Sequence, residues 1–342
     1  MTNRAMALLR LMGTRSSFVR LIVITAAIVV VFSILRPTVF LSASNLQFLG
    51  LATPELAILS LAIALTMLTG GIDLSVVAIA NVAGVTSALM LTGRSDEPGL
   101  VLAASALGLA AATACGLING VIVAYLRVTP ILATLGTWQL FAGIALVLTG
   151  GTVIKGLPDS FTSVASATVA GIPVIFLLML VVAAILALML TRTSLGFRMR
   201  MLGANEVAAK FSGFKNTRIL VITYAISGLL AGIAGLMISS RASGANSDYG
   251  TSYILLGIVV AVLAGVDPYG GYMTVAGVVI ATLTLQLLST GLLGLNISAH
   301  IVNIAQGSLL IGMMALNFYG GSLAHHSRRL WRVAVRPREV RA

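Results

Sequence analysis

The apolar character of this sequence breaks at Thr69-Gly70-Gly71-Ile72-Asp73-Leu74-Ser75, a stretch that holds one carboxylate and two adjacent glycines. Long apolar runs lie on both sides of it. Polar groups at such a break are costly in lipid. They persist only where protein buries them, where an aqueous cavity reaches them, or where they lie at the water boundary. We therefore expect a membrane protein, and this stretch is the first candidate for a transport path.

The composition supports the same class. Of 342 residues, 58% are hydrophobic and only 9% are charged, against about 25% charged in an ordinary globular domain. The apolar runs lack the alternation of a membrane β-barrel, so we predict an all-α polytopic membrane protein. Cys115 is the single cysteine, which excludes a disulfide framework within the chain.

Ten apolar runs are long enough, or nearly so, to cross a bilayer, which takes about 20 residues. The third and eighth of these runs are the least well defined. The predicted spans lie near 20–39, 49–69, 72–92, 100–126, 131–150, 172–190, 219–240, 252–267, 271–293 and 299–319.

The distribution of basic residues predicts the orientation. With the N-terminus inside, 17 of the 21 lysines and arginines fall in inside segments, and only Arg36, Arg94, Lys155 and Arg241 fall outside. Basic residues concentrate on the cytoplasmic side of membrane proteins, so we expect both termini in the cytoplasm. The net charge of +12 follows from this rule and does not indicate a nucleic-acid partner, because the basic residues lie at loop ends.

The predicted organisation is simple. A cytoplasmic segment, 1–19, precedes a transmembrane permease domain, 20–320, which carries a cytoplasmic loop at about 191–218, and a basic tail follows at 321–342. A basic segment before an apolar run also begins signal peptides, but this run lacks a cleavage site, so we interpret it as the first helix. The longest predicted outside loop, about 150–171, is too short to fold as a binding domain.

Several catalytic patterns are absent. The sequence has no G-x-x-x-x-G-K-[ST] phosphate loop, no G-x-S-x-G and no H-E-x-x-H, so we predict neither an ATP site nor hydrolase chemistry on this chain. The three histidines lack partners at metal-ligand spacing. We expect a transport subunit with no catalytic residue, no bound metal and no cofactor of its own.

Polar side chains within or beside the spans are candidates for lining a substrate path. Amides, hydroxyls and an aromatic face, without buried lysine or arginine, suit a neutral polar solute such as a sugar. The alternative is that many of them form hydrogen bonds between helices. The candidates are Thr69, Gly70, Gly71, Asp73, Ser75, Asn119, Thr134, Trp138, Gln139 and Asn303.

Asp73 has three alternative roles. A carboxylate before a helix stabilises the helix N-terminus, so Asp73 caps the third span or holds the loop in shape. It can instead contact substrate. As the one titratable group predicted inside the membrane, it would also be the coupling group of a self-sufficient, ion-driven carrier.

The loop 191–218 contains helix signals of its own. We interpret Gly203 as a break, Asn205 as an N-cap, Glu206 as a first-turn residue and Gly213 as a stop. These signals predict a short amphipathic helix at the inner membrane surface. Such a helix is either a handle for a cytoplasmic partner or a plain connector.

A weak internal similarity links the two halves of the chain. The segment from Leu68 to Asp73, followed by Val82-Ala83-Gly84-Val85, resembles Leu263 to Asp267, followed by Val275-Ala276-Gly277-Val278. Related halves are common in transporters. Small apolar residues dominate membrane helices, however, and chance similarity is the alternative.

Four stretches together resemble the permease subunits of bacterial ABC importers for ribose and related monosaccharides. They span roughly residues 40 to 320. The stretches are Thr69 to Ser75, Pro130 to Thr137 with Gly150-Gly151 beyond it, Gly196 to Gly213, and Gly265 to Gly277 running on to Asn296.

The resemblance implies a type II-like importer permease in the bacterial inner membrane. It implies a second permease subunit, identical or homologous, a cytoplasmic ABC ATPase that uses ATP, and a periplasmic sugar-binding protein. A distantly similar class imports branched-chain amino acids, and this remains the alternative substrate class. The ATPase would grip a coupling helix here, at Gly196, Arg198, Gly203, Ala204, Asn205, Glu206, Ala208, Ala209, Ser212 and Gly213.

Overall fold

The structure, a computed structural model, describes residues 16–313. Within this range the chain forms fourteen helices and one short antiparallel hairpin. The elements are α1 (Ser16–Leu35), α2 (Pro37–Phe40), α3 (Ala43–Leu68), α4 (Val76–Leu91), α5 (Pro98–Tyr125), α6 (Pro130–Thr149), α7 (Asp159–Ser166), β1 (Thr168–Val169), β2 (Ile172–Pro173), α8 (Val174–Arg192), α9 (Ser194–Ala204), α10 (Glu206–Phe211), α11 (Asn216–Arg241), α12 (Tyr253–Leu263), α13 (Val275–Gly294) and α14 (Ala299–Met313).

The predicted all-α membrane fold is confirmed. Seven helices are long and apolar enough to cross a membrane, namely α1, α3, α5, α6, α8, α11 and α13. Three shorter apolar helices, α4, α12 and α14, complete a set of ten that matches the ten predicted spans in order. The last predicted span, 299–319, is described as far as Met313, and residues 1–15 and the tail 321–342 lie outside the described range.

Predicted span boundaries differ from the helix ends by up to six residues, as at α3, which begins at Ala43 rather than 49. Three of the differences have local reasons. The first span does not reach residue 39, because α1 ends at Leu35 and Pro37 begins a separate short helix. The third begins at Val76 instead of 72, after the turn that contains Asp73. The eighth ends at Leu263, because Gly265 adopts a left-handed backbone conformation with φ of 79° that stops the helix.

Helix α3 forms the centre of the bundle, and nearly all of its C-terminal two thirds is buried. Helix α11 packs against α3, α4 and α5. Glycines at three- and four-residue spacing on one face of α11, namely Gly228, Gly232 and Gly235, allow this packing. A Cβ at Gly228 would lie 2.9 Å from the Cα of Gly116, and one at Gly235 would overlap the backbone of Ala80. Small residues let membrane helices approach until their backbones touch.

Segments that we predicted on opposite sides of the membrane lie at opposite ends of the helix bundle. At one end, the segment 69–75 meets Pro130, the loop after α8 and the loop 264–274. At the other end, Ser160 donates a hydrogen bond to Asp96, and Ile154 pairs with Ala245. Segments assigned to the same side by the basic residues therefore lie together, which supports the predicted order of crossings.

Candidate functional site

Two helix breaks, one in each half of the chain, have the same backbone geometry. After α3, the Gly70 N–H bonds to Met67 and the Gly71 N–H bonds to Thr66. After α12, the Gly265 N–H bonds to the Val262 carbonyl and the Val266 N–H bonds to the Ala261 carbonyl. This is the Schellman arrangement, in which a left-handed glycine closes the last turn of a helix. The shared geometry supports the internal similarity seen in the sequence.

Asp73 lies fully buried in the turn between α3 and α4. Its Oδ1 atom accepts hydrogen bonds from the backbone N–H of Ser75, at 2.9 Å, and from the Ser75 hydroxyl, at 2.6 Å. These bonds hold the chain in the turn that leads into α4. Of the roles considered for Asp73, this geometry favours fixing the loop.

Two neighbouring helices anchor the same turn. Asn119 on α5 donates from Nδ2 to the Ser75 hydroxyl oxygen at 2.7 Å. Thr134 on α6 accepts a hydrogen bond from the Leu74 N–H at 3.1 Å. Thr69 donates to the Thr66 carbonyl at the end of α3. The structure thus brings together Thr69, Gly70, Gly71, Asp73, Ser75, Asn119 and Thr134, all predicted from sequence as path residues.

The remaining three candidates lie elsewhere. Trp138 is half-buried against the core of the bundle, whereas Gln139 and Asn303 are exposed on α6 and α14. They do not form part of the cluster around Asp73. Contact between any of these residues and a substrate stays a prediction.

The loop between α8 and α11 forms two short helices rather than one. The predicted N-cap is confirmed, because the Asn205 side chain accepts a hydrogen bond from the Ala208 N–H at 2.9 Å. Gly213, with φ of 81°, follows the end of α10 as predicted. The break at Gly203 is wrong: this residue is helical, and α9 continues to Ala204.

Position 203 requires glycine because of a tertiary contact, not because a helix breaks there. A Cβ at this position would overlap the Leu68 carbonyl oxygen at the end of α3 and would lie 2.5 Å from the Gly271 nitrogen. That nitrogen donates to the same Leu68 carbonyl at 2.9 Å. Ala204 contacts Gly271 as well. The loop after α8 therefore lies directly against both helix breaks, backbone to backbone.

The other predicted coupling residues divide into supporting and exposed groups. Gly196 and Ala209 are buried, and Arg198 lies 5.8 Å from the ring centroid of Phe214. Glu206 is exposed, its carbonyl accepts from the Asn216 amide, and the Ser212 hydroxyl donates to the Ala208 carbonyl. The apolar surface of α10 faces outward, with Phe211 88% exposed and Val207 also exposed.

A second buried acid was not predicted from the sequence. Glu55 lies within α3 with its side chain fully buried, and both carboxylate oxygens bind the Arg241 guanidinium at the end of α11. Arg241 was predicted only as an outside residue, and the path was expected to lack buried lysine or arginine. The signal was present, since Glu55 is the one acid within the apolar run 49–69.

Irregular backbone beside a buried polar cluster, with a helical loop packed on it, is a feature of membrane transport proteins. The chain belongs to the family described as "Branched-chain amino acid transport system / permease component", which matches residues 45–316. It is accordingly a permease component and a multi-pass protein of the inner membrane.

Curated relatives cover most of the chain. The D-allose transport system permease protein AlsC of Escherichia coli is 32% identical, over 86% of this chain and 89% of the relative. The ribose import permease protein RbsC of Haemophilus influenzae is 34% identical, over 91% and 95%. The autoinducer 2 import system permease protein LsrD of Photorhabdus temperata is 32% identical, over 81% and 83%.

A solved structure shares the fold. It is described as an inward-facing conformation of an ABC transporter of the metal-chelate type, and it aligns with a TM-score of 0.51 at 14% sequence identity. The alignment covers 89% of this chain and 98% of the solved chain. The similarity extends over nearly the whole bundle.

Proposed function

We propose that this chain is the membrane-spanning subunit of an ATP-driven importer for a monosaccharide or a similar small polar solute. A periplasmic binding protein delivers the solute, and a separate cytoplasmic ATPase drives the transport cycle. In this proposal the partner ATPase binds and hydrolyses ATP, so this chain itself binds no cofactor. Membership of a permease family supports this division of labour.

The observation that carries the proposal is the contact of Gly203 with both helix breaks. The helix α10 presents exposed Phe211 and Val207 to a partner. Only Asn205 separates α10 from α9, and α9 touches Leu68 and Gly271 through backbone atoms. A displacement of α10 by an ATPase would therefore pass directly to the loop that holds Asp73. Rigid, closely packed elements transmit such shifts because they deform little.

The substrate class rests on the relatives and on the polar residues. Relatives named for allose, ribose and autoinducer 2 support a sugar or sugar-like solute. The family description also names branched-chain amino acids, and a zwitterion would need charged partners in the path. Screening the cognate binding protein against sugars and branched-chain amino acids separates the two classes.

A second permease subunit is part of the proposal. Asn303 and Gln139 expose amide groups on α14 and α6, and an amide without a partner is costly in lipid. A homologous or identical subunit, with an aqueous path between the two, would cover or hydrate these groups.

The first test is purification of the full chain from its native membrane in detergent, followed by identification of the proteins that accompany it. We expect an ATPase subunit in the preparation. A chain that purifies alone and moves solute in vesicles without ATP would instead establish a self-sufficient carrier.

Phe211→Asp is expected to weaken ATPase binding by about 2 kcal/mol or more, about thirtyfold in affinity, because buried aromatic residues commonly dominate protein interfaces. The readout is the amount of ATPase that purifies with the chain. Val169→Asp introduces the same charge at an exposed valine on the hairpin, and it should leave the ATPase bound. Equal recovery with Phe211→Asp would exclude α10 as the handle.

A further inference from the structure

The turn that contains Asp73 includes polar atoms that none of the roles above uses. Among residues 16–313, the Oδ2 atom of Asp73, the Oδ1 atom of Asn119 and the hydroxyl of Tyr224 are buried and have no hydrogen-bond partner. Each of these three side chains is fully buried. Buried polar atoms are almost always paired, so three such atoms in one place require an explanation.

The three side chains surround the turn before α4, because Asp73 lies in that turn and Asn119 and Tyr224 lie on α5 and α11. Asn119 and Asp73 share Ser75 as a hydrogen-bond partner, at 2.7 Å and 2.6 Å. A Cβ on Gly71 would lie 2.6 Å from the Tyr224 hydroxyl oxygen, and Tyr224 is close enough to Asp73 to interact with its charge. Ser227, one turn along α11 from Tyr224, lies close enough to Asp73 to act on its carboxylate, and its hydroxyl donates to the Ala62 carbonyl at 3.2 Å.

The chemistry of this cluster is that of a cation site. Asp73 forms no ion pair with a lysine or arginine of the described range, where the one close pair joins Arg241 and Glu55. A buried carboxylate without a counter-charge is strongly unfavourable, and either a proton or a cation relieves it. The orphaned atoms of Asp73 and Asn119 are acceptors, so each needs a positive charge or a donor. The Tyr224 hydroxyl oxygen offers a further lone pair.

We propose that Asp73, Asn119, Tyr224 and Ser227 bind one alkali cation, which fixes the turn between α3 and α4 against α5 and α11. One carboxylate with three neutral oxygens balances a single positive charge. A divalent ion usually takes more carboxylate ligands, and no cluster of three or more acids, histidines or cysteines exists in the described part of the chain. The C-terminus of α3 and the N-terminus of α4 both flank the site, and their partial charges are opposite in sign. The proposal goes beyond the transport function and does not depend on which solute is carried.

The test is thermal unfolding of the purified full chain in sodium, potassium or lithium chloride, with N-methylglucamine chloride at equal ionic strength as the reference. A ligand that binds the folded state raises the unfolding midpoint as its concentration increases. We expect such a rise in the wild type with at least one alkali cation. Equilibrium binding of radioactive sodium and rubidium to the same preparations measures occupancy directly.

Asp73→Asn removes the charge while keeping the shape, so the variant should fold and should lose both the rise and the bound cation. Tyr224→Phe should require a several-fold higher cation concentration for the same rise. Asp267→Asn is the matched control, because Asp267 follows the equivalent break in the second half and is exposed. This control should respond as the wild type does.

Two results would overturn the proposal. One is a wild-type protein whose unfolding midpoint is the same in all salts and which binds neither sodium nor rubidium. In that case water or a proton satisfies the orphaned atoms. The other is a cation effect that persists in Asp73→Asn. Neither measurement uses the ATPase or a substrate, so failure here is distinguishable from failure of the importer assignment.

Discussion

Gly203→Ala is expected to abolish uptake by the assembled importer. The added methyl group would overlap the Leu68 carbonyl oxygen and crowd the Gly271 nitrogen. Both are backbone atoms, so no side-chain rotation relieves the clash. Overpacking a well-packed site costs about 1–3 kcal/mol, and here relief would require α9 to separate from both helix breaks.

The measurement is uptake by cells that depend on this permease, together with the amount of chain in the membrane and its unfolding midpoint. Gly99→Ala is the matched control, because a Cβ there meets nothing within 4 Å and alanine favours helix over glycine by about 1 kcal/mol. Uptake should be normal in this control. Normal uptake and an unchanged midpoint in Gly203→Ala would exclude the contact as the connection between α10 and the helix breaks.

Arg241→Met is expected to destabilise the protein far more than Glu55→Gln, although both changes break the same ion pair. Loss of Arg241 leaves the Glu55 carboxylate fully buried without a partner, and such a loss costs about 3–5 kcal/mol. Loss of the Glu55 charge leaves an arginine whose side chain is 40% exposed, and water solvates it. That change should cost about 1.5 kcal/mol, as for one hydrogen bond to a charged group.

Unfolding midpoints of the two single variants and of the double variant, measured in one detergent, test this asymmetry. The double variant should be more stable than Arg241→Met alone, because it no longer contains an unpaired buried charge. Equal losses in the two single variants would mean that water reaches Glu55, and the pair would then be a solvated surface contact.

The predictions that came from sequence succeeded where the physical cause is local. The orientation expected from the basic residues stays a prediction. Apolar runs form helices in lipid because transfer into the bilayer depends on the residues of the run itself. The Asn205 cap and the Gly213 stop were predicted for the same reason. The polar cluster around Asp73 was partly recognised, since seven of the ten candidate path residues meet at the turn before α4.

The wrong predictions concern residues whose roles depend on contacts between different helices. Gly203 looked like a helix break because glycine weakens helices, but it is required by the backbone of Leu68, 135 positions earlier in the chain. Glu55 was overlooked because its partner Arg241 lies 186 positions away. In sequence, nothing distinguished Asn119 from Trp138, Gln139 and Asn303. In the folded bundle, the last three lie outside the cluster around Asp73.

By itself, the sequence determined a polytopic helical permease, its ten apolar segments and the two helix breaks. The tertiary structure alone decided which polar groups are buried together, which charges pair, and that the loop after α8 lies on both breaks. The physical reason is that transfer into lipid depends on the composition of one segment, whereas hydrogen bonds and steric contacts act over a few ångströms between segments distant in the chain.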